Sequence, residues 1–290
     1  MRPSLAPPVS IKLRTAVCHM DFDVKDLSAV ETAAYKRKIQ RVDKILSKPS
    51  GRPRLLCFPE CCASDFLISA AARWANRWGI VTICGTRFNP ATARIESPIV
   101  YPGGRTAAQK YHVSPLDRSN CSAAIVRGAA PGATIDLDAE GVDGKPYRVG
   151  IGVLICFDFR FFYQDGRFAN WNAVRLLVVP MWDGKFKEPQ SYAGVLARRY
   201  WTRCLLVNKA TPHDSKSLPS TGHGPFNASD FRMISTLGAR KKNSQLWKLE
   251  KEGLLVGDYE VGINVTQGHE SAYGAGFNYE NFKWFPFGSR

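Results

Sequence analysis

No apolar run in this 290-residue chain approaches the length of a membrane-spanning helix. The opening Met1-Arg-Pro-Ser-Leu-Ala-Pro-Pro has too few apolar residues and too much proline for a secretory leader. Both absences lead to the expectation of a soluble cytoplasmic protein with no membrane partner. The chain also has no paired Cys-x2-Cys: the nearest approach, Cys57-x3-Cys61-Cys62, has no histidine beside it, which argues against zinc. The eight cysteines do not form a disulfide framework either, because Cys18, Cys57, Cys84 and Cys204 sit inside apolar strand-like runs, as reduced buried thiols do. Acidic residues are scarce, 25 against 40 Lys and Arg, for a net charge of +15. That balance is compatible with nucleic acid or an acidic partner. Yet the basic residues are scattered in short clusters (Lys36 to Arg41, Arg198-Arg199, Arg240 to Lys242), and no nucleic-acid-binding motif is present. Solubility is the first reading of the charge, and a nucleic-acid partner is not expected.

What is present is an alternation of short apolar runs with amphipathic ones. Strands are predicted at Ile11 to Met20, Arg54 to Glu60, Gly79 to Arg87, Ile95 to Tyr101, Thr106 to His112, Val149 to Ile155, Arg175 to Pro180, Cys204 to Asn208 and Asp258 to Val265, with a β-like segment from Phe231 to Leu237. Helices are predicted at Val24 to Leu46, Leu67 to Trp78, Tyr163 to Asn172 and Gln190 to Tyr200. Ser114 to Thr134 and residues 211–230 read as loops, the first long enough to suggest a functional role. The order argues a layered α/β fold. Residues 1–10 read as an irregular arm, 11–265 as one domain, and 266–290 as a tail. Seven aromatics between Tyr273 and Phe287 should dock that tail on the body or on a second subunit.

Three strand ends carry chemistry-bearing side chains. Glu60 closes the apolar run Leu55 to Pro59, Lys110 lies near the end of Thr106 to His112, and Cys156 follows Val149 to Ile155. A cysteine at a sharp strand-to-helix turn is rigid, exposed and close to backbone N–H groups, as a nucleophile needs. On that stretch alone a small core cysteine is the slightly better reading. Taken one at a time, Glu60 reads most simply as a cap.

The three pieces Phe58-Pro59-Glu60, Lys110-Tyr111-His112-Val113-Ser114-Pro115 and Cys156-Phe157-Asp158-Phe159-Arg160, with Val207-Asn208 as a fourth, resemble the nitrilase superfamily of carbon–nitrogen hydrolases over roughly residues 11–265. The resemblance implies an α/β fold, a four-layer α-β-β-α sandwich, and a Glu-Lys-Cys triad. Cys156 would attack an amide or nitrile carbon as its thiolate and form a thioester. Glu60 would take the thiol proton and pass it to the leaving amine. Lys110 would stabilise the tetrahedral intermediate, helped by the Phe157 N–H. No metal or organic cofactor is required. The resemblance further implies a homodimer or higher homo-oligomer, its tail crossing the interface.

The sequence departs from the family in three places. Where many members carry a second glutamate, this chain has Asp117, one methylene shorter, with a correspondingly weaker hold on Lys110 or the attacking water. Phe162-Tyr163 replaces the Pro-Glu that amidase-type members carry after the nucleophile. Ala197 to Trp201 lacks the usual glutamate. His112, two residues past Lys110, is read as pocket lining or, more simply, as a structural histidine. Trp182 is read as a wall of the acyl site or as core, and Arg160 as an ion-pair partner of Asp158 or of a substrate carboxylate. The leading expectation is an amidase for a small linear amide or carbamoyl compound. The alternatives are a nitrilase, an acyl transferase, or a degenerate nitrilase-like binding module with a protein or nucleic-acid partner.

Overall fold

The computed structural model describes residues 9–161, 174–182, 202–209, 252–263 and 279–287. Two sheets face each other. The larger has eight strands: β1 (Val9–His19), β4 (Leu55–Cys57), β5 (Val81–Ile83), β6 (Arg87–Asn89), β7 (Arg94–Tyr101), β8 (Gly104–Gln109), β13 (Gly253–Ile263) and β14 (Tyr279–Pro286). Their order is β14-β13-β1-β4-β5-β7-β6, with β8 also on β7. The smaller runs β12 (Arg203–Asn208), β11 (Val174–Met181), β10 (Pro146–Val153), β9 (Ala133–Glu140). β2 (Val24–Lys25) and β3 (Ser28–Ala29) form a separate hairpin.

Strand alternation builds the layers. Ile11, Leu13 and Val17 point from β1 into a core shared with Leu55, Ile83 and Ile99 on one side and Val149, Ile151, Val178 and Leu206 on the other. Ala16 and Cys18 point the opposite way, toward α1 (Ala33–Leu46) and α2 (Asp65–Trp78). α1 starts at Thr32, whose hydroxyl accepts from Tyr35 N, and α2 at Ser64, which accepts from Leu67 N. α2 ends at Gly79, φ 68°. The segments read as the other helical layer, 163–172 and 190–200, lie outside the described residues, as do the loop 211–230, the β-like segment 231–237, Tyr273 and Phe277.

Several predicted boundaries move. The helix expected from Val24 begins only at Ala33, because Asp26 (φ 46°) and Leu27 (φ 58°) make a hairpin turn that no right-handed helix accommodates. The run Gly79 to Arg87 is two strands, β5 and β6, parted at Gly85 (φ 76°). β8 stops at Gln109, one residue short of Lys110. The loop from Ser114 contains a short helix, α3 (Pro115–Ser119), and gives way to β9. β9 was not anticipated, though Ile135, Leu137 and Ala139 alternate with Asp136, Asp138 and Glu140 in the period of a half-buried strand. Of the run expected from Asp258 to Val265, residues 258–263 are the latter part of a longer strand, β13, and the last two lie outside the described residues. In the tail, β14 pairs antiparallel with β13 and Phe287 is buried. Among the described residues no helix is long and apolar enough to cross a membrane.

Candidate active site

β4 is a three-residue strand because Pro59 has no N–H to extend its ladder. The chain then turns sharply. Cys61 adopts φ 59°, and its N–H donates to Thr86 Oγ1 at 2.8 Å. Gly85 lies directly against this turn: a Cβ there would stand 1.9 Å from the Pro59 carbonyl oxygen. The turn puts the Glu60 side chain, 5% exposed, between the two sheets.

Lys110 leaves β8 with its N–H on Ile95 O at 2.9 Å, while its own carbonyl accepts Gly128 N–H at 2.9 Å. The side chain is 1% exposed. Its Nζ donates to Glu60 Oε1 at 3.0 Å and to Asp117 Oδ1 at 2.9 Å, and lies 2.8 Å from Asp117 Oδ2. Asp117 reaches so far because α3 begins at Ser114. In the capping box Ser114 Oγ accepts Asp117 N–H, and Asp117 Oδ2 accepts the Ser114 N–H at 2.7 Å. The helix start supplies the reach that the shorter side chain lacks.

Cys156 comes from the other sheet. β10 ends at Val153, Ile155 is extended, and Cys156 takes φ 41° before a 3-10 turn, Cys156–Arg160, whose Asp158 N–H donates to Ile155 O at 2.9 Å. A non-glycine residue in this left-handed region costs about 1 kcal/mol or more and persists only where its surroundings enforce it. Although the residue is half-exposed, its thiol has densely packed surroundings and lies within hydrogen-bonding reach of the Glu60 carboxylate and the Trp182 N–H. The same Trp182 N–H donates to Glu60 Oε2 at 3.0 Å.

The electrostatics follow from burial. Desolvation pushes the Glu60 carboxyl up; Lys110 opposes this and Asp117 adds to it. Burial alone would pull the Lys110 ammonium down, but Glu60, Cys156 and Asp117 together hold it well above the usual lysine value. Burial also pushes the Cys156 thiol well up, and the Glu60 charge reinforces it against Lys110 and the Trp182 N–H. Two carboxylates already face one ammonium, so a third negative charge is disfavoured. Beside the raised Cys156 thiol thus stands a Glu60 carboxyl whose proton affinity is itself raised.

Asp158, which the sequence gives only a pairing with Arg160, holds the site together. It is 1% exposed and accepts Tyr111 N–H at 3.1 Å and His112 N–H at 2.6 Å, with His112 Nδ1 at 3.2 Å. It thus fastens the Cys156 turn to the residues just after Lys110. Burial raises its carboxyl, against those two N–H donors. His112 stacks on Phe161 at 4.4 Å between ring centres. The Arg160 guanidinium lies 5.3 Å from the Phe157 ring centre. The Phe157 ring also meets Phe161 edge-on, while Trp182 contributes its main chain to the site. Gly85, Thr86 and the Trp182 N–H were not singled out as site elements; only the Gly-Thr after an apolar strand gave a signal. Among the described residues, no group of three or more His, Cys, Asp or Glu could hold a metal ion.

No protein-family model matches this sequence, and no curated protein matches it. Solved structures do. Nit3 of Saccharomyces cerevisiae, described as a member of branch 10 of the nitrilase superfamily, superposes with a TM-score of 0.53 at 18% identity, over 74% of this chain and 82% of its own. An amidase from Nesterenkonia sp. superposes with a TM-score of 0.50 at 17% identity, over 70% and 78% of the two chains. A double mutant of the Nesterenkonia sp. AN1 amidase, in complex with acrylamide, gives 0.50 at 16% identity over 69% and 78%. The chain has the fold of the nitrilase superfamily.

Proposed function

We propose that the protein is a thiol hydrolase of carbon–nitrogen bonds, an amidase acting on a small linear amide or carbamoyl compound. The observation that carries this reading is the buried Lys110 ammonium clamped between Glu60 and Asp117, with the Cys156 thiol against the same glutamate. The fold shared with an amidase, and the acrylamide bound in a form of a related amidase, support a linear amide over a nitrile.

In this reading Glu60 accepts the thiol proton as Cys156 Sγ bonds to the carbonyl carbon. Burial makes the Glu60 carboxylate a stronger base than an exposed glutamate, and the proton moves to it as sulfur attacks. The carbonyl oxygen gains negative charge facing the Lys110 ammonium, with the Phe157 N–H as second donor. The C–N bond breaks as Glu60 returns its proton to the departing nitrogen. Water, deprotonated by Glu60, then attacks the thioester carbon, and the C–S bond breaks with the proton returned to sulfur. Asp117 keeps Lys110 charged and aimed throughout.

Alkylation by iodoacetamide tests this directly. Cys121 and Cys156 are the half-exposed thiols, the other six being buried. Cys156 should label faster than Cys121 near pH 7, and Glu60→Gln should slow Cys156 at least about tenfold, the lower range of a general-base contribution being larger still. Equal labelling of the two thiols, indifferent to Glu60→Gln, would mean that no base acts on Cys156 and would point to a binding module.

A further inference from the structure

We infer that Lys209 is a positioning residue for Glu60, acting through Trp182; this rests on the triad reading above. Lys209 directly follows β12. Its N–H donates to Met181 O at 3.1 Å, so the strand register sets it beside Trp182. The side chain is 6% exposed. Its Nζ meets Asp21 Oδ1 at 2.6 Å and sits 5.1 Å from the Trp182 ring centre and 4.9 Å from that of Phe22. Asp21 belongs to the chain just past β1, on the opposite sheet.

Two links therefore join the sheets beside the nucleophile. One is Lys209 to Asp21, and the other is the Trp182 N–H to Glu60 Oε2 at 3.0 Å. They share Trp182, whose ring takes the Lys209 charge and whose main chain takes the glutamate. Asp21 is itself fixed. Its carbonyl accepts Lys38 Nζ at 2.6 Å, its N–H donates to Glu252 Oε1 at 2.6 Å, and Lys38 Nζ meets Glu252 Oε1 at 2.6 Å. Buried ammonium groups are retained where an anion and aromatic faces both hold them. Here the holding group ends at the main-chain donor that orients the base. Lys110, Asp117 and Cys156 also face Glu60, and Cys62 lies near Lys209.

Removing the Lys209 charge should release the Trp182 ring and draw its N–H away from Glu60. A carboxylate that loses a hydrogen bond to its ionised form binds its proton more tightly. Coupled carboxyl and thiol groups lose protons in two steps, so alkylation of Cys156 by iodoacetamide should rise in two steps with pH. In the full-length Lys209→Met protein the first step should move upward by about one pH unit. Lys209→Arg, which keeps the charge, should restore most of the shift. Should Lys209→Met fail to fold because Asp21 is stranded, the pair Lys209→Met with Asp21→Asn removes both charges, and it should show the same displacement. A wild-type first step in a folded charge-removing variant overturns the inference. A wild-type protein whose labelling ignores Glu60→Gln overturns the triad reading instead.

Discussion

Two cysteines lie against Glu60, and they differ instructively. Cys61 (φ 59°) and Cys156 (φ 41°) both hold left-handed backbone conformations. Both thiols are pushed well above the ordinary value by burial, then by the Glu60 charge, with Lys110 pulling the other way. Their partners and access differ. Cys61 is 2% exposed, and its thiol bonds toward Thr86. Cys156 is half-exposed, and its thiol bonds toward Glu60 itself. Similar electrostatics thus surround a turn-forming residue and a candidate nucleophile. What separates them is the partner each thiol faces and the partial exposure of Cys156, so a shifted thiol by itself identifies neither.

The sharpest way to break the comparison is to exchange the sulfurs for oxygen. Cys156→Ser should reduce kcat for an amide substrate by about 10⁴-fold or more, as loss of a nucleophile does. Cys61→Ser should stay within about tenfold, because its hydroxyl can still face Thr86. Equal losses in the two variants would show that the difference in access does not matter.

A second test removes the charge common to both. Lys110→Met would leave Glu60 and Asp117 buried without their cation, and breaking a buried pair from one side costs about 3–5 kcal/mol. Urea unfolding at pH 7 should show that loss, and both thiols should become still harder to ionise. A loss under about 1 kcal/mol would mean that water reaches the cluster.

The smallest expected effect is on pH dependence. Glu60 must be ionised to accept a proton, and its carboxyl is raised. Activity should therefore fall as pH drops through a midpoint above the ordinary value of about 4.3. Lys110 is held well above the lysine range, so no alkaline loss from its deprotonation is expected below about pH 10.4. Cys61→Ser should leave this acid limb in place, whereas an acid midpoint at the ordinary glutamate value would contradict the buried setting of Glu60.

Much of the sheet framework was legible because buried strands are short apolar runs closed by residues with a local meaning. Pro59 ends β4, and Gly79 ends α2 before β5 begins. Glu60, Lys110 and Cys156 could be singled out as residues at strand ends. The hairpin at Asp26-Leu27 was not legible, since Leu27 and Val30 continue the apolar face of the following helix and only backbone dihedrals reveal the break. The reach of Asp117 was hidden as well: it depends on α3 starting at Ser114 within a stretch read as loop.

By itself the sequence determined most of the apolar runs that become strands and which residues carry chemistry, because these depend on side-chain period and on residue type. Tertiary structure alone decided that Glu60 and Lys110 from one sheet meet Cys156 from the other, that Asp158 ties the Cys156 turn to the Lys110 segment, and that burial and Glu60 push the Cys156 thiol up. Proton affinities in a buried cluster depend on desolvation and on how many charges share the space. Neither quantity exists until the two sheets have closed on each other.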